Sequence, residues 1–173
     1  AQQDGGTKLE TILPNVRRLQ DTCRANGIEV IHIRVAYRTR DGRDGRRGLS
    51  ANLAMSPIVP SDDDFLEEVA PVGDEIVIDK TSAGTFNSTS IDQLLRNMGI
   101  NRLWVTGIVT EGCVEMTARD AADRGFLVTL VSDGCASSTH VAHDDALQRM
   151  GDGGLIKVRT VDELVSQLVA VPA

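Results

Sequence analysis

The chain has 173 residues, 41% of them hydrophobic and 25% charged, and carries a net charge of −7. Such a chain is globular and long enough to bury about 70% of the surface it exposes unfolded. The acidic balance argues against a nucleic-acid-binding face, and no run of 18 apolar residues exists to form a transmembrane helix.

The opening AQQDGGTK is polar and shows no signal peptide. Apolar residues at Leu9, Ile12, Leu13, Val16 and Leu19 then recur at helical spacing, predicting a helix over Leu9–Arg24 with Pro14 near its start. Strands are expected at Val30–Val35, Glu75–Ile78, Leu103–Ile108, Leu127–Val131 and Leu155–Val158. Further helices are expected at Ser90–Met98, Cys113–Arg124, Thr139–Met150 and Val161–Val169. Strands alternating with helical segments imply parallel βαβ units, and strands apolar throughout suit a sheet covered on both faces. The expectation is a three-layer αβα domain of the α/β class over residues 1–173.

Residues 37–73 form a long irregular stretch, with turn signals at Ser56–Pro57, Val59–Pro60 and Ser61–Asp64. Arg34, Arg38, Arg40, Arg43, Arg46 and Arg47 crowd its beginning, interleaved with Gly42, Gly45, Gly48, Asp41 and Asp44. This pattern reads as a solvated or subunit-contact loop, with recognition of an acidic substrate group as the alternative.

Open α/β sheets bind ligands beyond the carboxyl ends of their strands. Three such ends carry reactive residues: Asp79-Lys80-Thr81, Val109 to Cys113, and Asp133-Gly134-Cys135. Cys113 opens a predicted helix, where the macrodipole favours a thiolate and free amides can bind an oxyanion. It is therefore a candidate nucleophile, against the alternative of a buried structural thiol. Cys23 and Cys135 take the structural reading. Lys80, ending an apolar strand, can support a neighbouring thiolate or polarise a carbonyl. Three unpaired cysteines point to a reducing compartment, and the chain is expected to be cytoplasmic. His32 sits within a strand, and His140 and His143 share T-H-V-A-H without an acidic third ligand, so no metal or other cofactor is expected. Neither a phosphate-loop lysine nor a G-x-S-x-G elbow occurs.

The segment V-T-G-I-V-T-E-G-C-V-E-M-T-A-R-D-A-A-D-R-G-F at 105–126 resembles the nucleophile segment of the isochorismatase-like cysteine hydrolases. The segment I-D-K-T-S-A-G-T-F-N-S-T-S-I-D-Q-L-L-R-N-M-G-I at 78–100 is similar to their catalytic-lysine segment, and the likeness continues through L-V-S-D-G-C-A-S. The resemblance implies a six-stranded parallel sheet flanked by helices, assembled as homodimers or homotetramers. It also implies a Cys–Lys–Asp triad that includes Cys113 and Lys80. The oxyanion hole would be the amides of Val109 and Cys113, with a cis peptide between Ile108 and Val109. Phe86, Asn87, Tyr37 and Glu111 are the candidate pocket residues. The family's aspartate ends a first strand of the form apolar-apolar-apolar-D-x-Q. Asp4 has no apolar strand before it, so that role is not carried over. The expectation is either a fragment lacking the first strand or an incomplete triad, with an open position in the sheet.

R-V-A-Y-R-T-R at 34–40 stands where the family's nicotinamidases hold metal ligands, which disfavours that branch. The phenazine-pathway relatives lack the cysteine that this chain has. F-N-S-T and G-C-V-E look most like the ureidoacrylate and biuret branch. The function implied is hydrolysis of a C–N bond in a small acyclic amide or ureido or carbamoyl compound through a thioester. The alternatives are vinyl-ether hydrolysis of isochorismate and a binding or scaffold subunit with a decayed triad.

Overall fold

Strands and helices alternate in the computed structural model, which describes residues 9–45 and 65–169. In chain order they are α1 (Leu9–Ala25), β1 (Ile31–Val35), β2 (Ile76–Lys80), α2 (Ile91–Asn97), β3 (Arg102–Ile108), α3 (Glu115–Asp123), β4 (Leu127–Ala136), α4 (His140–Asp152), β5 (Ile156–Arg159) and α5 (Val161–Val169). Single 3-10 turns lie at Glu67–Val69 and Thr85–Asn87. Asp4, Arg46, Arg47, Gly48 and the turn signals between 56 and 64 fall outside the described residues.

Local chemistry accounts for several helix starts. Thr139 caps α4 by accepting from the Ala142 amide at 3.1 Å. At α5, Thr160 and Glu163 form a reciprocal capping box: Glu163 Oε2 accepts from Thr160 N at 2.7 Å, and Thr160 Oγ1 accepts from Glu163 N at 3.3 Å.

Three expected boundaries need correction. Pro14 is the sixth residue of α1, inside the helix rather than at its start. The helix expected from Cys113 begins at Glu115, because Thr110–Val114 forms a wide π-type turn in which Gly112 has non-helical angles (φ −115°, ψ −105°). β4 runs on to Ala136 through the segment expected to be a turn. It does so through an irregularity: between the pairs Val105–Leu130 and Gly107–Cys135, β3 advances two residues while β4 advances five. Cys135 is thereby drawn inside the sheet.

The layers follow from alternation along β4. Val128 and Leu130 join a core with Leu95 of α2, Ala118 and Ala121 of α3, and Ala146 and Met150 of α4. Val131 turns to the opposite face, packing with Leu19 and Cys23 of α1 and Val161 and Leu164 of α5. Helices cover both faces, which suits strands that send apolar residues to either side. No helix among the described residues is long and apolar enough to cross a membrane.

All strand pairs are parallel, but they form two groups, β1–β2 and β3–β4–β5. Among the described residues β1 pairs only with β2 on one side, and β3 only with β4. A cavity of about 1010 Å³ is lined from both groups and from α1, by Ile31, Leu103, Trp104, Thr106, Leu19 and Cys23 among others. The sheet of the described residues is therefore not continuous, in line with an open position.

Candidate active site

The turn that carries Cys113 begins where β3 ends. Gly107 adopts φ +129°, a conformation that costs a residue with a Cβ and suits glycine. The peptide bond between Ile108 and Val109 is cis. The amides of Gly112 and Val114 both turn back on the Val109 carbonyl, at 3.0 and 3.3 Å. Cys113 lies in this turn, half-buried, two residues ahead of α3.

The three thiols differ sharply in environment. Burial pushes Cys23 up to about 11 and Cys135 up to about 12, since a thiolate in an apolar core loses its hydration. Cys135 has no solvent exposure, and its Sγ lies 3.9 Å from the Val105 carbonyl. A raised pKa disfavours the thiolate, the nucleophilic form, at both. Cys113 is the only one of the three that is not buried.

Lys80 ends β2 and is buried, with 5% exposure. Its Nζ donates to the Ser82 carbonyl at 3.1 Å and to the Ala83 carbonyl. Among the described residues no carboxylate forms an ion pair with it. The loop that follows is held by its own hydroxyls: Thr81 N donates to Ser88 Oγ at 3.1 Å, and Ser82 Oγ donates to Gly84 O at 2.6 Å. The loop is also fastened to α3. Thr85 N donates to Thr117 Oγ1 at 3.2 Å, the two threonine hydroxyls are 3.1 Å apart, and Asn87 Nδ2 donates to Asp120 Oδ2 at 3.2 Å. Thr117 lies four residues beyond Cys113, so the lysine loop is bonded to the helix that the cysteine turn enters.

Glu111 stays at this edge, where its Oε2 accepts from Ser137 Oγ at 2.6 Å. Asn87 is exposed beside Asp120. Tyr37 and Phe86, expected to line a pocket, are instead packed into the protein. Tyr37 is 1% exposed, with Gly45 so close over its ring that a methyl there would overlap it. Phe86 joins the helix-side core, 5.9 Å from the Phe126 ring, with the Arg124 guanidinium 4.9 Å from its centroid.

The sequence reading did not find the Thr110–His143 pair. The buried Thr110 hydroxyl lies 2.8 Å from His143 Nδ1 and 3.1 Å from the Ala136 carbonyl. The usable signal was that T-H-V-A-H opens the helix following β4, at the same sheet edge as Cys113. Among the described residues no group of three or more His, Cys, Asp or Glu is placed to hold a metal ion.

Comparison with known proteins places the chain in a family. The chain is 35% identical over 123 residues to N-carbamoylsarcosine amidase of Arthrobacter sp., covering 68% of this chain and 47% of that protein. It is 30% identical over 148 residues to ureidoacrylate amidohydrolase of Serratia proteamaculans, covering 76% of this chain and 58% of that one. The chain thus spans about half the length of these curated relatives. The crystal structure of a cysteine hydrolase from Pseudomonas syringae pv. phaseolicola superposes with a TM-score of 0.83 at 25% identity, covering 93% of this chain and 81% of that one. Residues 2–163 match the family profile described as Isochorismatase domain, and the chain belongs to the isochorismatase family.

Proposed function

We propose that the chain is a cysteine hydrolase cleaving the C–N bond of a small acyclic amide or of a ureido or carbamoyl compound. Cys113 attacks the carbonyl carbon, and the C–N bond breaks as the thiol proton passes to the departing nitrogen. The product of this step is a thioester on Cys113. Water then cleaves the thioester, releasing the acid and restoring the thiol. The amides of Val109 and Cys113 would hold the oxyanion, and Lys80 would support the negative charge on the attacking sulfur.

One observation carries this reading. Lys80 is a buried ammonium with carbonyl acceptors but no carboxylate partner among the described residues, on a loop bonded to the helix that Cys113 leads into. A buried cation with no counter-charge among the described residues favours an anion forming beside it, whether thiolate or tetrahedral intermediate. The amidase and amidohydrolase relatives support an amide or ureido substrate. Homo-oligomeric assembly and a reducing, cytoplasmic setting belong to the same proposal.

The test is ammonia release over a panel of small amides, N-carbamoyl amino acids and ureido acids, with and without EDTA. The wild type should turn over at least one of them in either condition, and Cys113→Ser none. Silence across the panel, or turnover retained by Cys113→Ser, would overturn the proposal.

A further inference from the structure

Thr110 stands between the cis peptide and Cys113, and its hydroxyl has one proton for two neighbours. The Ala136 carbonyl, at 3.1 Å, can only accept, so the proton goes there. On that assignment His143 Nδ1, at 2.8 Å, donates to Thr110 Oγ1, with the hydrogen of the neutral ring on Nδ1 and the lone pair on Nε2. Burial holds the His143 pKa below the usual histidine value, favouring that neutral ring. The charged neighbours Asp144, His140 and Glu111 also act on it.

His143 itself is rigidly placed. Its amide donates to Thr139 O at 3.2 Å in the first turn of α4, the turn that Thr139 caps. The cysteine turn lacks regular helical bonding, since Gly112 interrupts it and two amides converge on Val109 O. A side-chain anchor on such a turn fixes what backbone bonding leaves loose.

We propose that His143 is a positioning residue for Cys113, acting through Thr110 to clamp the 109–114 turn to the end of β4 and the start of α4. The proposal rests on the reading of Cys113 as the nucleophile. The clamp fixes the turn that carries Cys113, two residues ahead of α3. Protonation leaves the Nδ1 hydrogen in place, so the clamp itself persists across pH. A histidine that took up the thiol proton would instead impose a titration of its own.

The probe is iodoacetamide, with the rate of adduct formation at Cys113 read by intact mass and peptide mapping across pH 5–10. His143→Leu and Thr110→Val should each slow alkylation at pH 7 by about 3–10-fold and move its midpoint up by about 0.5–1 pH unit. The double variant should be no worse than either single one, because both remove one interaction. His143→Asn and Thr110→Ser keep a donor and a hydroxyl, and should restore most of the rate with the wild-type profile. A purely structural histidine would lower the Tm and leave the midpoint unmoved, which would overturn the clamp. If His143→Asn is as slow as His143→Leu, a proton-transfer role replaces positioning. Thr110→Val, close in shape to the native residue, carries the test if His143→Leu does not fold. A wild-type Cys113 no faster than an ordinary thiol would overturn the nucleophile reading and the clamp together. Fast wild-type labelling with unchanged variants would overturn the clamp alone.

Discussion

Glu75, just ahead of β2, and Lys80, which ends it, are five residues apart and opposite in character. At the amino end Glu75 is satisfied on all sides. It accepts from Arg24 Nε at 2.7 Å and Nη2 at 3.0 Å and from the Val72 amide at 2.9 Å, and its Oε2 lies 2.8 Å from His32 Nε2. The Arg24 guanidinium, the largest cause, holds the Glu75 carboxyl down at about 2. At the carboxyl end Lys80 is more deeply buried but has only carbonyls of its own loop as partners among the described residues. A charge closed on its partners has nothing left to offer a ligand; one without a counter-ion does. The same strand thus separates a stability cluster from a chemistry-bearing edge, as expected where ligands sit beyond strand carboxyl ends.

Variants at the two ends should therefore fail in different ways. Cys113→Ser should lower turnover of any substrate found by at least about 10³-fold with the Tm unchanged, because a nucleophile acts as a unit with its partners. Lys80→Met should lower kcat by about 10²-fold and leave KM nearly unchanged, since its charge is needed as the sulfur attacks rather than on the bound substrate. A raised KM with intact kcat would make Lys80 a binding residue and erase the contrast.

Glu75→Gln should do the reverse. It should destabilise the fold by on the order of 2 kcal/mol at neutral pH, with turnover per folded molecule unchanged. The sign follows from the depressed pKa. The contribution is fully present above the unfolded value near 4.5 and disappears as pH falls toward about 2. Wild type and variant should converge in urea midpoint below that window; parallel curves at all pH values would refute the cluster's role. The smallest effect is expected at Cys135→Ser, about 1 kcal/mol of stability with activity and labelling kept.

The sequence showed these regions unequally. The strands β1 and β3 and the helix α5 were legible because β-branched and other apolar residues are dense in the two strands and recur at helical spacing in the helix. The end of β4 was not, since Asp133-Gly134 has the composition of a turn, and only pairing with β3 through an irregularity keeps it extended. Lys80 and Cys113 stood out because strand ends are where reactive residues carry meaning. Tyr37 and Phe86 were misplaced because side-chain direction depends on tertiary packing, here Gly45 over one ring and Phe126 beside the other. Thr110 and His143 are 33 residues apart, and no local pattern announces their contact.

Timed alkylation of the intact protein by iodoacetamide, followed by peptide mapping, tests the central claim most directly. All three cysteines are free, and two are buried with raised pKa values. The account predicts one fast adduct, at Cys113, and loss of turnover in step with its formation. Slow labelling spread over Cys23, Cys113 and Cys135, or full turnover with Cys113 modified, would contradict it.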